Sequence, residues 1–210
     1  MSVLRDIGLV DSALSVYDGH RRRQEMDRTV KTARDFSGVL VQCHECDRST
    51  PALPPYTPSN WNGVVIVDGA PSSEDWLYGR DLGRDGPLQL LRGMLSGAGV
   101  DINRCYLTSA VKCFSVKRPM SHHIAACSPF LSFEIHRLSS RARCFVVMGE
   151  ASLRAIIGPD VSGINRYERS RGMIGGVPFL ITQHAGVCSQ NEEVAARTLE
   201  AFKEFFNDAD

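Results

Sequence analysis

"CHEC", Cys43 to Cys46, sets two thiols two residues apart, a spacing that lets both point at one metal centre. Closing such a site takes a second pair. Cys113, directly after "YLTSAVK", and Cys127, in "AACSPF", are the best placed. Their separation is too long for the second CxxC of a zinc ribbon. Two pieces split by a folded sheet look more like an iron–sulfur cluster stitched into an α/β domain. On spacing alone, cluster, zinc and unrelated thiols all stay open. Of the seven cysteines, Cys105 and Cys144 lie in strand-like runs and read as buried thiols, and Cys188 has no assignment. The odd count argues against a disulfide framework.

A second group of reactive residues stands where apolar runs end. "VVIVDGAPSSED", Val64 to Asp75, reads as a buried strand entering a Gly/Pro/Ser turn and then two acids. Asp68, Glu74 and Asp75 offer carboxylates that can orient a water or stabilise a cation. Glu74 and Asp75 equally suit the first turn of a helix, where the macrodipole favours negative charge. His184 follows the last apolar run; a lone histidine in such a place is more commonly a satisfied loop residue.

The elements that must position these groups are four short strands, Val64–Val67, Cys105–Ser109, Cys144–Met148 and Phe179–Thr182. Helices are expected at about 86–98, 120–138, 150–157 and 190–206. Strands alternating with helices imply parallel pairing, and so an α/β fold: a three-layer α/β/α sandwich around a four-stranded parallel sheet. Ligands bind beyond the carboxyl ends of such strands. Here those ends are Asp68–Pro71, Ser109–Cys113, Gly149–Glu150 and Thr182–His184. Residues 1–35 read as helical and charged, with Leu4, Ile7, Val10, Leu14 and Val16 as an apolar stripe. We therefore expect an N-terminal helical extension over 1–37 and one domain over 38–210. "STPALPPYTPSNWNG", Ser49 to Gly63, is an irregular connector, since its four prolines sustain neither helix nor ladder.

At 210 residues and 43% apolar, the chain can bury one sizeable core. No run of about 18 apolar residues suggests a membrane span, and the N-terminus lacks the apolar core of a signal peptide. A cytosolic monomer without membrane contact is the expectation. The 24 basic and 24 acidic residues balance, which argues against a broad electrostatic grip on nucleic acid but leaves room for a local one. His20–Gln24, Val116–Pro119 and Asn165–Arg171 are the candidate basic faces.

Seven stretches in order, "CHEC", "VVIVDGAPSSED", "GRDLGRDGPLQLL", "YLTSAVKC", "AACSPFLSFEI", "FVVMGEASL" and "ITQHAG", resemble the iron–sulfur members of the uracil-DNA glycosylase superfamily. The resemblance runs over about residues 38–190. It implies a [4Fe–4S] cluster on Cys43, Cys46, Cys113 and Cys127, with zinc as the alternative, and excision of a base flipped into a pocket at the strand ends. It makes His184 a donor to the departing base, with Asp68 and Asp75 as the better acids for water or sugar. Gly69, Ala70, Pro71, Leu82 and Ser109 become pocket residues. Lys117 and Arg118 become phosphate contacts, and Val187 a wedge into the DNA stack.

The departures from that family are specific. Where its members usually carry an assisting Glu, this chain has Gly69. The stacking aromatic is Leu82, the amide that reads the pyrimidine edge is Ser109, and the late Pro-Ser is Ala185-Gly186. Losing Asn removes a side chain that both donates and accepts, and losing the aromatic removes roughly 1–3 kcal/mol of stacking. All three pocket changes enlarge the space. The expected activity is therefore a DNA glycosylase for a modified or bulky pyrimidine, such as glucosylated 5-hydroxymethylcytosine in phage DNA. A conventional repair glycosylase for uracil or another deaminated base, and an inactive DNA-binding member, are the alternatives.

Overall fold

Val64 to Val67 send alternate side chains into two different cores, and this decides the architecture. Val65 and Val67 pack with Phe145, Val147, Phe179 and Ile181, while Val64 and Ile66 pack with Val146 and Leu180. A strand that is apolar on both faces needs cover on both. The computed structural model describes residues 5–9, 20–48, 52–78, 87–114, 116–161 and 163–208. The strands are β1 (Arg5–Leu9), β2 (Val64–Asp68), β3 (Tyr106–Ser109), β4 (Cys144–Met148), β5 (Ser170–Ile174) and β6 (Val177–Thr182). The helices are α1 (His20–Thr29), α2 (Ala33–Val41), α3 (Ser73–Tyr78), α4 (Pro87–Gly97), α5 (Ser121–Ser139), α6 (Gly149–Ile157), α7 (Ala185–Cys188) and α8 (Glu192–Asp208). Leu131 and Ile135 of α5 and Leu153 and Ile156 of α6 cover one face. Leu91 and Leu95 of α4 and Phe202 and Phe206 of α8 cover the other. The result is the expected α/β sandwich.

The sheet runs β1-β5-β6-β4-β2-β3. The four strands read from the sequence are its contiguous parallel part, β6-β4-β2-β3. Two edge strands enlarge it to six. β5 returns antiparallel to β6 through Gly175 and Gly176, which both have positive φ, and β1 adds parallel to β5. The expected helix over the first residues is thus corrected at Arg5–Leu9, which is extended because the open edge of β5 supplies a hydrogen-bonding partner. Leu4, Val10, Leu14 and Val16 of the expected stripe lie outside the described residues.

Arginines of two of the three basic stretches make contacts within the protein. Arg22 stacks over the Phe130 ring at 4.7 Å and pairs with Glu45, and Arg23 donates to Ser132 Oγ at 3.3 Å. These contacts dock α1 on α5. Arg169 faces Glu200 and Glu204, and Arg171 faces Asp208, which ties β5 to α8. Lys117 and Arg118, in the third stretch, are exposed. Within α5, Pro129 cannot donate to the Ala125 carbonyl, and Ser128 Oγ does so instead at 2.9 Å. The helix therefore stays continuous past Cys127.

Candidate active site

Register places the reactive residues. Asp68 at the end of β2 is opposite Ser109 at the end of β3, and Met148 of β4 is opposite Thr182 of β6. Pairing continues past β3, where Ala110 N–H donates to the Asp68 carbonyl at 2.7 Å and Val111 N–H to the Gly69 carbonyl at 3.0 Å. The turn after β2 is therefore held by the segment leading to Cys113.

His184 closes the site from the other side. Its Nε2 lies 3.1 Å from Asp68 Oδ1, and its Nδ1 accepts the Gly186 N–H at 2.9 Å, capping the short helix α7. With Nδ1 accepting, the network assigns the neutral ring's proton to Nε2, facing Asp68. Asp68 Oδ1 also accepts the Gly69 N–H at 2.8 Å. The charge of Asp68, then its hydrogen bond, raises the His184 pKa against the opposing effect of burial, and Asp75 adds to the rise. Cap and field pull in opposite directions, because the second proton must go onto Nδ1, where the Gly186 N–H stands.

Asp75 takes the place expected of a helix-start carboxylate. Its Oδ2 accepts from Ser72 N–H at 2.9 Å and Ser72 Oγ at 3.0 Å, while Ser72 Oγ accepts the Asp75 N–H. This is the capping box that starts α3. Its Oδ1 is buried and has no partner among the described residues, and the residue is near enough to bias His184. A buried carboxylate oxygen without a donor is costly.

Of the other expected pocket residues, those at the strand ends lie beside these three. Ser109 and Pro71 are buried, and Ala70 is half-buried against the core. A Cβ built on Gly69 would meet Ala151 Cβ at an ordinary 3.4 Å, so packing does not dictate glycine there. Leu82 lies outside the described residues, as does the Glu74 side chain. Val187 is exposed on α7, the same helix that His184 caps. A separate depression between Arg92 and Asn103 opens before the start of β3, at the far end of the sheet, and contains none of these groups.

The four expected cysteines converge. Cys113 bridges to Ala52 and shares an apolar cluster with Cys43, Phe36, Leu40, Phe130 and Phe133. Burial first, then Cys127, Cys43 and Cys46, push the Cys113 thiol up to about 12 against the pull of Arg48. Cys127 is raised by burial, opposed by the Lys112 N–H and ammonium, and feels both Cys46 and Cys43. These four could hold a metal centre. Cys105, Cys144 and Cys188 are buried away from them; Cys188 sits 3.5 Å from Thr198 Oγ1.

Among the described residues, the tight set of three His, Cys or carboxylate ligand atoms within 4.8 Å of one another is Asp47, His122 and His123. It reads as a clasp. His123 Nδ1 accepts the Met120 N–H at 2.9 Å, so its Nε2 carries the proton and donates to Asp47 at 2.7 Å. A donor nitrogen is not a ligand. The clasp ties the loop after Cys46 to the start of the Cys127 helix, and hydrogen bonds from His122 and then His123 lower the Asp47 pKa.

Residues missed from the sequence support both sites. Lys112 and Glu134 form a fully buried ion pair, and Glu134 Oε1 also accepts from Tyr106 at 2.9 Å and Thr108 at 2.7 Å. Gln183 donates to Asn165 and Glu168, anchoring the chain just before His184. Arg48 is buried beside Cys113. Gly149 has φ +80°, and a Cβ there would stand 3.1 Å from His184 Cβ. Gly149→Ala should therefore destabilise by about 1–3 kcal/mol in denaturant unfolding and perturb the His184 titration. Gly38→Ala, mid-helix with nothing within 4 Å, should instead stabilise by roughly 0.5–1 kcal/mol.

A search of curated proteins finds no match to this chain. The family model of the uracil DNA glycosylase superfamily matches residues 54–210, beginning after Cys43 and Cys46 and taking in Asp68, Asp75 and His184. A match over that much of the chain, with the α/β sandwich and its polar cluster at the strand ends, shows that the chain belongs to the uracil-DNA glycosylase superfamily.

Proposed function

We propose that the chain is a monofunctional DNA glycosylase that accepts a flipped pyrimidine larger than uracil and hydrolyses its N-glycosidic bond. The observation that carries the chemistry is the Asp68–His184 contact at 3.1 Å. With Oδ1 fixed by His184 and the Gly69 N–H, Asp68 has Oδ2 left, which has no partner among the described residues. That oxygen orients a water toward the sugar C1′. As the glycosidic bond breaks, the base leaves with the electron pair, the water oxygen bonds C1′, and Asp68 receives the water's proton. His184 acts through Asp68 by holding it in place.

Support for a bulky base comes from three positions at which the sequence departs from the family's pattern. Gly69, Leu82 and Ser109 replace the larger residues of related pockets, and Gly69 is not forced by packing. The unpartnered Asp75 Oδ1 favours a base that brings a hydrogen-bond donor. Cytosine has an exocyclic amine for it, whereas uracil has a carbonyl at the same position. Glucosylated 5-hydroxymethylcytosine, as in phage DNA, meets both demands, and its excision makes the enzyme an anti-phage factor. Lys117 and Arg118 hold backbone phosphate, and Val187 enters the stack vacated by the flipped base.

The four-cysteine site is assigned here to a [4Fe–4S] cluster. What supports this is the order of the motifs, which resembles the iron–sulfur members, together with the gathering of Cys43, Cys46 and Cys127 around Cys113. Cys43, Cys46, Cys113 and Cys127 would hold it, and it would supply a structural crosslink between the loop of Cys43 and Cys46, the segment after β3 and α5.

The experiment is to count abasic sites after incubation with uracil DNA and with DNA bearing hydroxymethylated or glucosylated cytosine. Sites in the modified DNA alone support the proposal, while sites in uracil DNA alone return the enzyme to conventional repair. Absence from both favours a binding-only member. Asp75→Asn keeps an acceptor for Ser72 and adds a donor. It should shift the rate ratio toward uracil by about 10–100-fold, from the roughly 1–3 kcal/mol of one base-edge contact. An unchanged ratio removes Asp75 from base reading.

A further inference from the structure

Two buried cations lie beside the four cysteines, and their partners differ. The Lys112 ammonium has its carboxylate, Glu134, and also donates to Thr108 Oγ1 at 2.7 Å. Arg48 has none. Its guanidinium donates from Nη1 to the Cys113 carbonyl at 2.7 Å and from Nη2 to the Lys117 carbonyl at 2.8 Å. Its Nε is buried without a partner, and no carboxylate pairs with it among the described residues, although the residue is only 9% exposed. Arginine does not shed its charge at physiological pH, so a buried guanidinium held only by neutral carbonyls needs negative charge nearby. The groups that can supply it are the cysteines. Arg48 follows Cys46 by two residues and bonds the backbone of Cys113 directly.

We propose that Arg48 is the resident counter-cation of the four-cysteine site, placed to neutralise the negative charge that the thiolates and their cluster bring into the core. This inference rests on the cluster reading. It adds that the backbone at Cys113 and at Lys117 is tied to the same charge, because one side chain spans both carbonyls. Arg48 is thus a positioning residue that couples cluster charge to the loop bearing Lys117 and Arg118. Since reduction adds negative charge to a cluster, a cation held beside it raises the midpoint potential.

The test uses the full chain purified anaerobically, with Arg48→Lys and Arg48→Gln compared with the parent. Iron content, absorbance near 400 nm, the one-electron midpoint potential and the rate of bleaching in air are measured. The Gln variant should show a more negative midpoint and bleach several-fold faster, while the Lys variant, which keeps charge but loses the fork, stays near the parent in midpoint. Equal behaviour of the two variants, or a Gln variant with the parent's midpoint and bleaching rate, overturns the counter-cation role. Where the Gln variant purifies without iron, a loaded Lys variant supports the proposal and an empty one overturns it. A parent protein that is colourless and free of iron instead overturns the cluster reading itself.

Discussion

Asp68→Asn should lower the single-turnover excision rate by about 10²–10⁴-fold while leaving fold and DNA affinity near those of the parent. The substitution is nearly isosteric. An amide oxygen in place of Oδ1 still accepts from Gly69 and His184, but the NH₂ in place of Oδ2 can no longer take a proton from water. Because His184 works through Asp68, the His184→Ala, Asp68→Asn double variant should be no slower than Asp68→Asn alone. Additive losses would show instead that His184 touches the substrate.

The same pair predicts a pH signature. Asp68 raises the folded-state pKa of His184 above its usual value near 6.5, so the protonated form is favoured by folding. The stability this contributes is fully present below about 6.5 and is lost as pH rises through the raised value. The Tm difference between parent and Asp68→Asn should accordingly be larger at pH 6 than at pH 9. In the variant, the His184 titration followed by NMR should move down. Protonation also displaces the Gly186 N–H from Nδ1, so the resonance of that amide should shift in step with the ring.

The residues of the candidate site were legible because strand ends are legible. Val64–Val67 is an unbroken β-branched run, and the polar residue that ends it must sit at the sheet's carboxyl edge, where Asp68 lies. His184 was readable for the same reason, though its tautomer was not, since that depends on the Gly186 amide two residues on. The edge strands were hidden. Arg5–Leu9 has no strong period, and β5 contains Arg171 and Gly172; both are strands because a neighbour's backbone awaits them. Charge reading failed where arginines were structural. Arg22, Arg23, Arg169 and Arg171 look like a nucleic-acid face in one dimension and meet an aromatic ring, a hydroxyl or carboxylates in three. Arg48 and the Lys112–Glu134 pair were invisible for a related reason: nothing in a sequence distinguishes a buried charge from a solvated one.

Cys113→Ala should abolish absorbance near 400 nm and unfold much of the protein at 37 °C, whereas Cys105→Ala should do neither. Burial pushes both thiols up to about 12, yet their neighbours differ. Cys105 sits near Asn62, Cys144 and Asp101, and its loss removes one small buried group. Cys113 sits among three other thiols, four residues beyond Ser109. Binding at a structural metal site is folding free energy, on the order of 10 kcal/mol in small zinc domains. That rivals the roughly 5–15 kcal/mol stability of a whole domain. The loss also reaches the chemistry, because the same segment fixes the Asp68 and Gly69 carbonyls through Ala110 and Val111. A Cys113→Ala protein that keeps its fold and excision rate would mean that the four thiols carry no structural centre. One that loses both, while retaining neither iron nor zinc, would place the cluster upstream of Asp68 in the order of assembly.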